Sequence, residues 1–326
     1  MAFRHLIIGG GSIGKRHLRN LYFLGEHELY CLRRNPDPQF EKEFHCKVIT
    51  KKEEAFLIKP DVVFVCNPTS LHSEALALAY ETGAKVFMEK PLTHDKESLE
   101  NIKKLPIYNK VFFIGFMLRY HPLVKIIKEK LEEEVIGKVF STRFSFGSYL
   151  PFWHPWEDHR TGYAGRKDLG GGVINTISHE LDLMLYFFGE PSAVVAAKMN
   201  IGHLDIDVEE LSEAIFKYQW GFATLHLDYL QKDYDRQIII LGTEGKITWN
   251  WNEHKIIIEK HKSDKQIIEK KLDDVNQLYV DELKDFLELI RSGQTKHPLD
   301  FDYAIKNCEW ILKMHKSSEK SELWEE

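Results

Sequence analysis

Leu6-Ile7-Ile8-Gly9-Gly10-Gly11-Ser12-Ile13-Gly14 is the stretch whose reading decides the fold. Leu6–Ile8 reads as a short apolar strand and Ile13–Phe23 as the helix after it, with Gly9, Gly11 and Gly14 in GxGxxG spacing between them. Gly9 permits the tight turn, Gly11 lets a pyrophosphate come close to the backbone, and Gly14 allows the helix to pack on the strand. The amides of Ser12 and Ile13, opening the helix, then face phosphate oxygens. The spacing alone is a weak signal, compatible with a glycine turn that binds nothing. Its place between a strand and a helix is the context a dinucleotide site requires.

The texture around it extends the argument. Strand patterns at Leu29–Leu32, Val62–Cys66, Val86–Met88 and Val111–Ile114 alternate with helical patterns at Leu71–Tyr80 and Glu97–Lys104. Repeated strand–helix–strand units with unbroken apolar strands predict a doubly wound parallel sheet, a Rossmann domain over residues 1–120. After Arg119–Pro122 and a helix at Leu123–Glu134 the pattern changes to strands without intervening helices: Val139–Phe146, Val194–Asn200, Ser212–Lys217, Ala223–Tyr229, Gln237–Leu241 and Lys255–Lys260. This predicts an α+β domain over 121–326 with a mostly antiparallel open sheet. Helices at Asp281–Arg291 and Tyr303–Lys316 close the chain before a charged tail, Lys316–Glu326, that reads as solvated.

Composition excludes several classes. The 326 residues are 43% hydrophobic and 29% charged, ordinary for a folded chain of about two domains. A net charge of -6, from 44 basic and 50 acidic residues, argues against nucleic acid as a partner. No apolar run is long enough to span a bilayer. The N-terminus enters a strand pattern directly, leaving no room for a signal peptide. Cys31, Cys46, Cys66 and Cys308 show no CxxC spacing and read as reduced thiols of a cytoplasmic protein.

At the end of the second strand, where NAD enzymes carry an acid for the ribose hydroxyls, stand Arg33 and Arg34. Two guanidinium groups suit a 2′-phosphate, which favours NADP over NAD; a solvated arginine pair is the plain alternative. Lys90 ends a buried strand between Glu89 and Pro91, beside the crevice where doubly wound sheets bind ligands. Near the positive ring of an oxidised nicotinamide its pKa should fall towards the range of a working acid or base.

These elements, with Asn67-Pro68-Thr69-Ser70-Leu71-His72, Arg119-Tyr-His-Pro122, Gly170-Gly-Gly172 through His179, and Gly242-Thr-Glu-Gly245, resemble the Gfo/Idh/MocA family of NAD(P)-dependent oxidoreductases over nearly the whole chain. The resemblance implies cofactor contacts from Asn67, Pro68, His72, Glu89, Lys90 and Arg119. It also implies an open sheet that makes subunit contacts, hence a homo-oligomer, dimer or tetramer. Val173–Phe188 reads as one helix with Ile174, Ile177, Leu181, Met184, Leu185 and Phe188 inward and a second stripe of Asn175, His179 and Asp182. Family members place Asp then His on this helix, working with the lysine on a substrate hydroxyl. His179 matches; Asn175 departs, and an amide can orient a hydroxyl without accepting its proton.

The loop carrying Trp153, Trp156, Arg160 and Arg166 offers aromatic faces for a sugar ring and basic groups for a carboxylate or phosphate, or is a packed aromatic loop. His154, Asp158 and His159 fit no metal-site spacing, and no metal is expected. His203 and His226 read as structural. The expected activity is hydride transfer between the nicotinamide and a secondary alcohol or ketone of a sugar; the tryptophan-rich loop and Ser178-His179-Glu180-Leu181-Asp182 are similar to family members associated with cell-surface sugar biosynthesis. An NAD-dependent glycoside hydrolase and a non-catalytic cofactor sensor of the same fold remain open alternatives.

Overall fold

The structure, a computed structural model, describes residues 3–107 and 110–320. The first sheet is built from β1 (Arg4–Ile8), β2 (Glu28–Leu32), β3 (Lys47–Ile49), β4 (Val62–Val65), β5 (Lys85–Glu89) and β6 (Phe112–Gly115). Their order is β3-β2-β1-β4-β5-β6, and every pairing is parallel. Helices α1 (Ser12–Phe23), α2 (Pro38–Phe44), α3 (Lys52–Ile58), α4 (His72–Glu81) and α5 (Lys96–Lys103) connect the strands. Every residue of β4 and β6 is buried, which is why these strands read as unbroken apolar runs: a parallel sheet is covered on both faces. The expectation missed β3, α2 and α3, elements of 3, 7 and 7 residues that are too short for a period to show. Asp37 nonetheless starts α2 as its cap, accepting from the Phe40 amide at 2.9 Å ahead of Pro38 at the first turn.

The second sheet follows α6 (Pro122–Glu132). It comprises β7 (Val139–Gly147), then, after α7 (Val173–Thr176) and α8 (His179–Phe188), β8 (Ala193–Met199), β9 (Leu211–Tyr218), β10 (Gly221–Asp228), β11 (Asp235–Gly242), β12 (Gly245–Asn250), β13 (Lys255–Lys260) and β14 (Gln266–Glu269). The eight strands run β14-β13-β12-β11-β7-β10-β9-β8, antiparallel except for β7 beside β10. Alternation is plain in β9, where Ser212, Ala214, Phe216 and Tyr218 are buried and Glu213, Ile215 and Lys217 exposed. The buried face carries α7 and α8.

The single helix expected over Val173–Phe188 is two. Ile177 leaves the helical region (φ −102°, ψ 51°), ending α7 before α8 restarts at His179. The break falls in Val-Ile-Asn-Thr-Ile-Ser, a run of β-branched and backbone-competing residues with poor helix propensity. Asn175 and His179 therefore do not share one continuous stripe.

The last helices are α9 (Asn276–Ser292) and α10 (Phe301–Lys320). Compact units group the chain as 1–117 with 276–308, and 118–275 with 309–326, which differs from a single cut at residue 120. The physical reason lies in α9: the Phe286 ring packs at 5.7, 5.3 and 5.6 Å from Phe64, Phe87 and Phe113 of the parallel sheet. The tail expected to be solvated starts as helix, and Ser317 Oγ accepts from the Ala196 amide at 3.0 Å; residues 321–326 lie outside the described residues. Among the described residues no helix is long and apolar enough to cross a membrane.

Candidate active site

In the first unit the glycine turn follows β1. Gly9 has φ +108°, and a Cβ there would stand 2.7 Å from the Asn67 amide nitrogen and 2.8 Å from the Cys66 carbonyl. A Cβ on Gly14 would overlap the Gly9 carbonyl oxygen, so both glycines are required by the fold itself. Gly11 differs: a Cβ there meets nothing within 4 Å. No side chain caps α1, and its first turn holds no acid, so the amides around Ser12 and Ile13 keep their donors and positive end for an anion. The turn fits a dinucleotide, which Gly9, Gly11, Ser12, Ile13 and Gly14 would hold by its phosphates.

Arg33 lies over this turn, its Cδ and Nε 2.9 Å from where a Gly10 Cβ would be. Its guanidinium stacks 4.0 Å from the Phe40 ring centre and pairs with Asp37 at 2.7 Å. Bonding from the Phe40 amide, then from Arg33, holds the Asp37 carboxyl below its ordinary pKa. An acid thus does stand near the second strand end, delivered by the cap of α2 rather than by the strand. Arg34 is exposed.

Strands β4 and β5 end beside the turn. The Asn67 side chain donates to the Leu71 carbonyl at 3.2 Å, and the buried His72 ring sits between the carbonyls of Asn67 and Pro91. Glu89 meets the fully buried His17 at 2.6 Å. Lys90, joined to Pro91 by a cis peptide, is half-buried at the carboxyl edge of the sheet. His17 escaped the sequence argument. Its one signal is a histidine on the buried side of α1 with Gly14, Leu18 and Leu21.

In the second unit two of the expected site residues have internal partners. Arg119 forms a bidentate pair with the fully buried Asp182, at 2.7 to 3.1 Å. Asn175 is 4% exposed, and its amide nitrogen donates to the Gly170 and Gly171 carbonyls at 3.1 and 3.0 Å. Its oxygen faces His315 Nε2 at 3.0 Å, while Lys198 Nζ lies 2.9 Å from Nδ1 of the same ring. Lys198 can only donate, so Nε2 carries the proton and donates to Asn175. Both Nδ2 hydrogens are thus used in holding the glycine loop, and the oxygen holds His315. His315, Lys198 and Glu209, which accepts from the Ile174 amide at 3.2 Å, come from distant segments and left no local signal.

Asn175→Asp consequently sets a carboxylate against two carbonyl oxygens. We expect a loss of about 1–3 kcal/mol at pH 7. The new acid's pKa is raised by burial and by those oxygens, so the deficit shrinks below the unfolded-state pKa of about 4 and grows as pH rises above it. Thermal melts of both proteins at pH 4.5 and 7.5 check the sign.

His179 opens α8 and is half-buried. In the loop, Trp153 donates to Ser148 Oγ at 2.9 Å and packs edge-on to Tyr229, whereas Trp156 is 73% exposed. Arg160 pairs with Asp158 and Asp205, and Arg166 with Asp168, so both cations have acids within the loop region. His226 sits between Asp228 and Glu213, and the bond with Asp228 above all lifts its pKa to about 9.

Comparison with known proteins fits this arrangement. Residues 3–115 match the family model for an oxidoreductase family with NAD-binding Rossmann fold, and residues 124–248 the GFO/IDH/MocA C-terminal domain. The chain is 25% identical over 311 residues to myo-inositol 2-dehydrogenase of Thermotoga maritima, covering 88% of each protein. It is also 25% identical over 334 residues to scyllo-inositol 2-dehydrogenase (NAD(+)) of Bacillus subtilis, covering 93% of this chain and 90% of that one. Levoglucosan dehydrogenase in complex with NADH superposes with TM-score 0.87 at 19% identity over 98% of both chains, a likeness of fold.

Proposed function

Because this chain belongs to the Gfo/Idh/MocA family of oxidoreductases, we propose that it is a dehydrogenase for a secondary alcohol of a sugar or cyclitol, working also as reductase of the ketone. The observation that carries this reading is Lys90 at the end of β5, on the strand-end edge that also bears the glycine turn. A bound nicotinamide dinucleotide supplies the hydride acceptor or donor. Lys90 takes the hydroxyl proton during oxidation and returns it during reduction, and the family pattern gives His179 a hydrogen bond to a substrate hydroxyl. Trp156 offers its exposed face to the ring of the substrate. Net reduction of added cofactor by a panel of cyclitols and amino, acidic and nucleotide-linked sugars tests the proposal. Glycosidic cleavage without net turnover would favour a hydrolase.

For the cofactor we propose NADP, held at its 2′-phosphate by Arg34 with Arg33. Asp37 offsets part of the Arg33 charge, so the preference is moderate, about tenfold. Arg33→Asp should reverse it, by setting a second carboxylate beside Asp37. Dissociation constants for both cofactors decide; tighter NAD binding in the wild type would assign Asp37 to the ribose hydroxyls instead.

A homo-oligomer is proposed through the uncovered face of the eight-stranded sheet, where Val195, Met199, Ile215, Phe222 and Ile267 are each more than half-exposed or nearly so. Light scattering should give a multiple of the 38.3 kDa chain; a monomer at micromolar concentration would refute it.

A further inference from the structure

Lys90 is bracketed by two buried histidines. Before it in the chain, the Glu89 carboxylate lies 2.6 Å from Nε2 of His17, with the imidazole fully buried and the carboxylate 12% exposed. After it, the Pro91 carbonyl lies 2.9 Å from His72 Nδ1, and the other nitrogen of that ring lies 2.9 Å from the Asn67 carbonyl. His17 belongs to α1, the helix that the glycine turn opens, and His72 is the first residue of α4.

We infer that His17 and His72 are positioning residues acting through Lys90, each holding the residue on one side of it. The inference rests on the role given to Lys90 above. Neither ring has room to swing: His17 lies against Phe64 and Phe87 at 5.5 and 5.0 Å, and His72 is 1% exposed. His17 supplies the N–H that a nearly buried carboxylate needs, since such a group left unpaired is costly. His72 ties the ends of β4 and β5 together, donating to one carbonyl when neutral and to both when protonated. With both flanking residues held, the lysine stem leaves a fixed backbone, the kind of support without which a reacting group drifts by an ångström and loses rate.

Two readouts test this. In steady-state kinetics His17→Leu and His72→Leu should each lower kcat about tenfold or more, and His17→Leu, at a residue outside the expected cofactor contacts, should do so with cofactor dissociation constants unchanged. In a Lys90→Met background the same substitutions should alter the residual rate by less than about twofold, because residues acting through one group are not additive. In the apoprotein, acetic anhydride should modify Lys90 about threefold faster in either variant, since a loosened stem samples more open positions, while Lys85 at the other end of β5 reacts unchanged. Equal losses in both backgrounds, a fall in cofactor affinity parallel to kcat in His17→Leu, or unaltered Lys90 labelling overturns the inference. If the leucine variants do not fold, His17→Gln and His72→Gln, which keep an N–H donor but aim it differently, enter the same cycle with about threefold expected, and additivity there is equally fatal. A wild type without turnover on any sugar would sink the proposed function, while the labelling of the apoprotein would still decide whether the bracket holds Lys90.

Discussion

Lys90→Ala is expected to lower kcat by about 10²-fold or more, as loss of a positioned acid–base group typically does, with dinucleotide affinity held within about twofold. The side chain starts at the carboxyl edge of the parallel sheet, and the groups that would hold the phosphates are those of the glycine turn, so binding and proton transfer should separate. His179→Ala is expected to fall in the same range. Asn175→Ala is not expected to act on the proton at all; its cost comes through the loop that Asn175 holds with His315. The pH dependence of turnover for the three variants is the measurement. A fully active His179→Ala across that range would make the histidine a structural residue of α8.

Gly11→Val should abolish measurable cofactor binding in a protein that still folds. Gly11 caps α1 with φ −76° and ψ −168°, an extended conformation open to valine, and its Cβ position is unobstructed. The stability cost is that of a poor cap, about 1 kcal/mol. The branched side chain would instead occupy the space from which a pyrophosphate reaches the helix amides. Gly14→Ala gives the contrast, because its methyl group meets the Gly9 carbonyl and damages the turn before any ligand arrives. Titration by nicotinamide fluorescence beside a thermal melt separates the two. Unchanged affinity in a folded Gly11→Val protein would remove the dinucleotide from this turn.

Local pattern carried the architecture far. The glycine spacing from Gly9 to Gly14, the unbroken apolar runs of β4 and β6, and the alternation of β9 each report an interaction with near neighbours in sequence, so they are readable without coordinates. Short elements such as α2 and β3 were not, because so few residues give no period to detect. In the proposed site Lys90 and His179 stand out by residue type, whereas the partners of the buried polar groups leave no trace in the local sequence.

The amino-acid sequence by itself determined the class of fold, the glycine turn that suits a dinucleotide and the lysine at the strand end, all properties of contiguous residues. Only the tertiary structure decided which core receives α9, that α7 and α8 are separate helices, and that Asp182 occupies Arg119 while His315 occupies Asn175. The physical reason is that a buried polar group must find its partner wherever the fold supplies one. For Asn175 that partner stands 140 residues away, and for the carboxylate before Lys90 it is a histidine 72 residues earlier, at separations where no spacing rule operates.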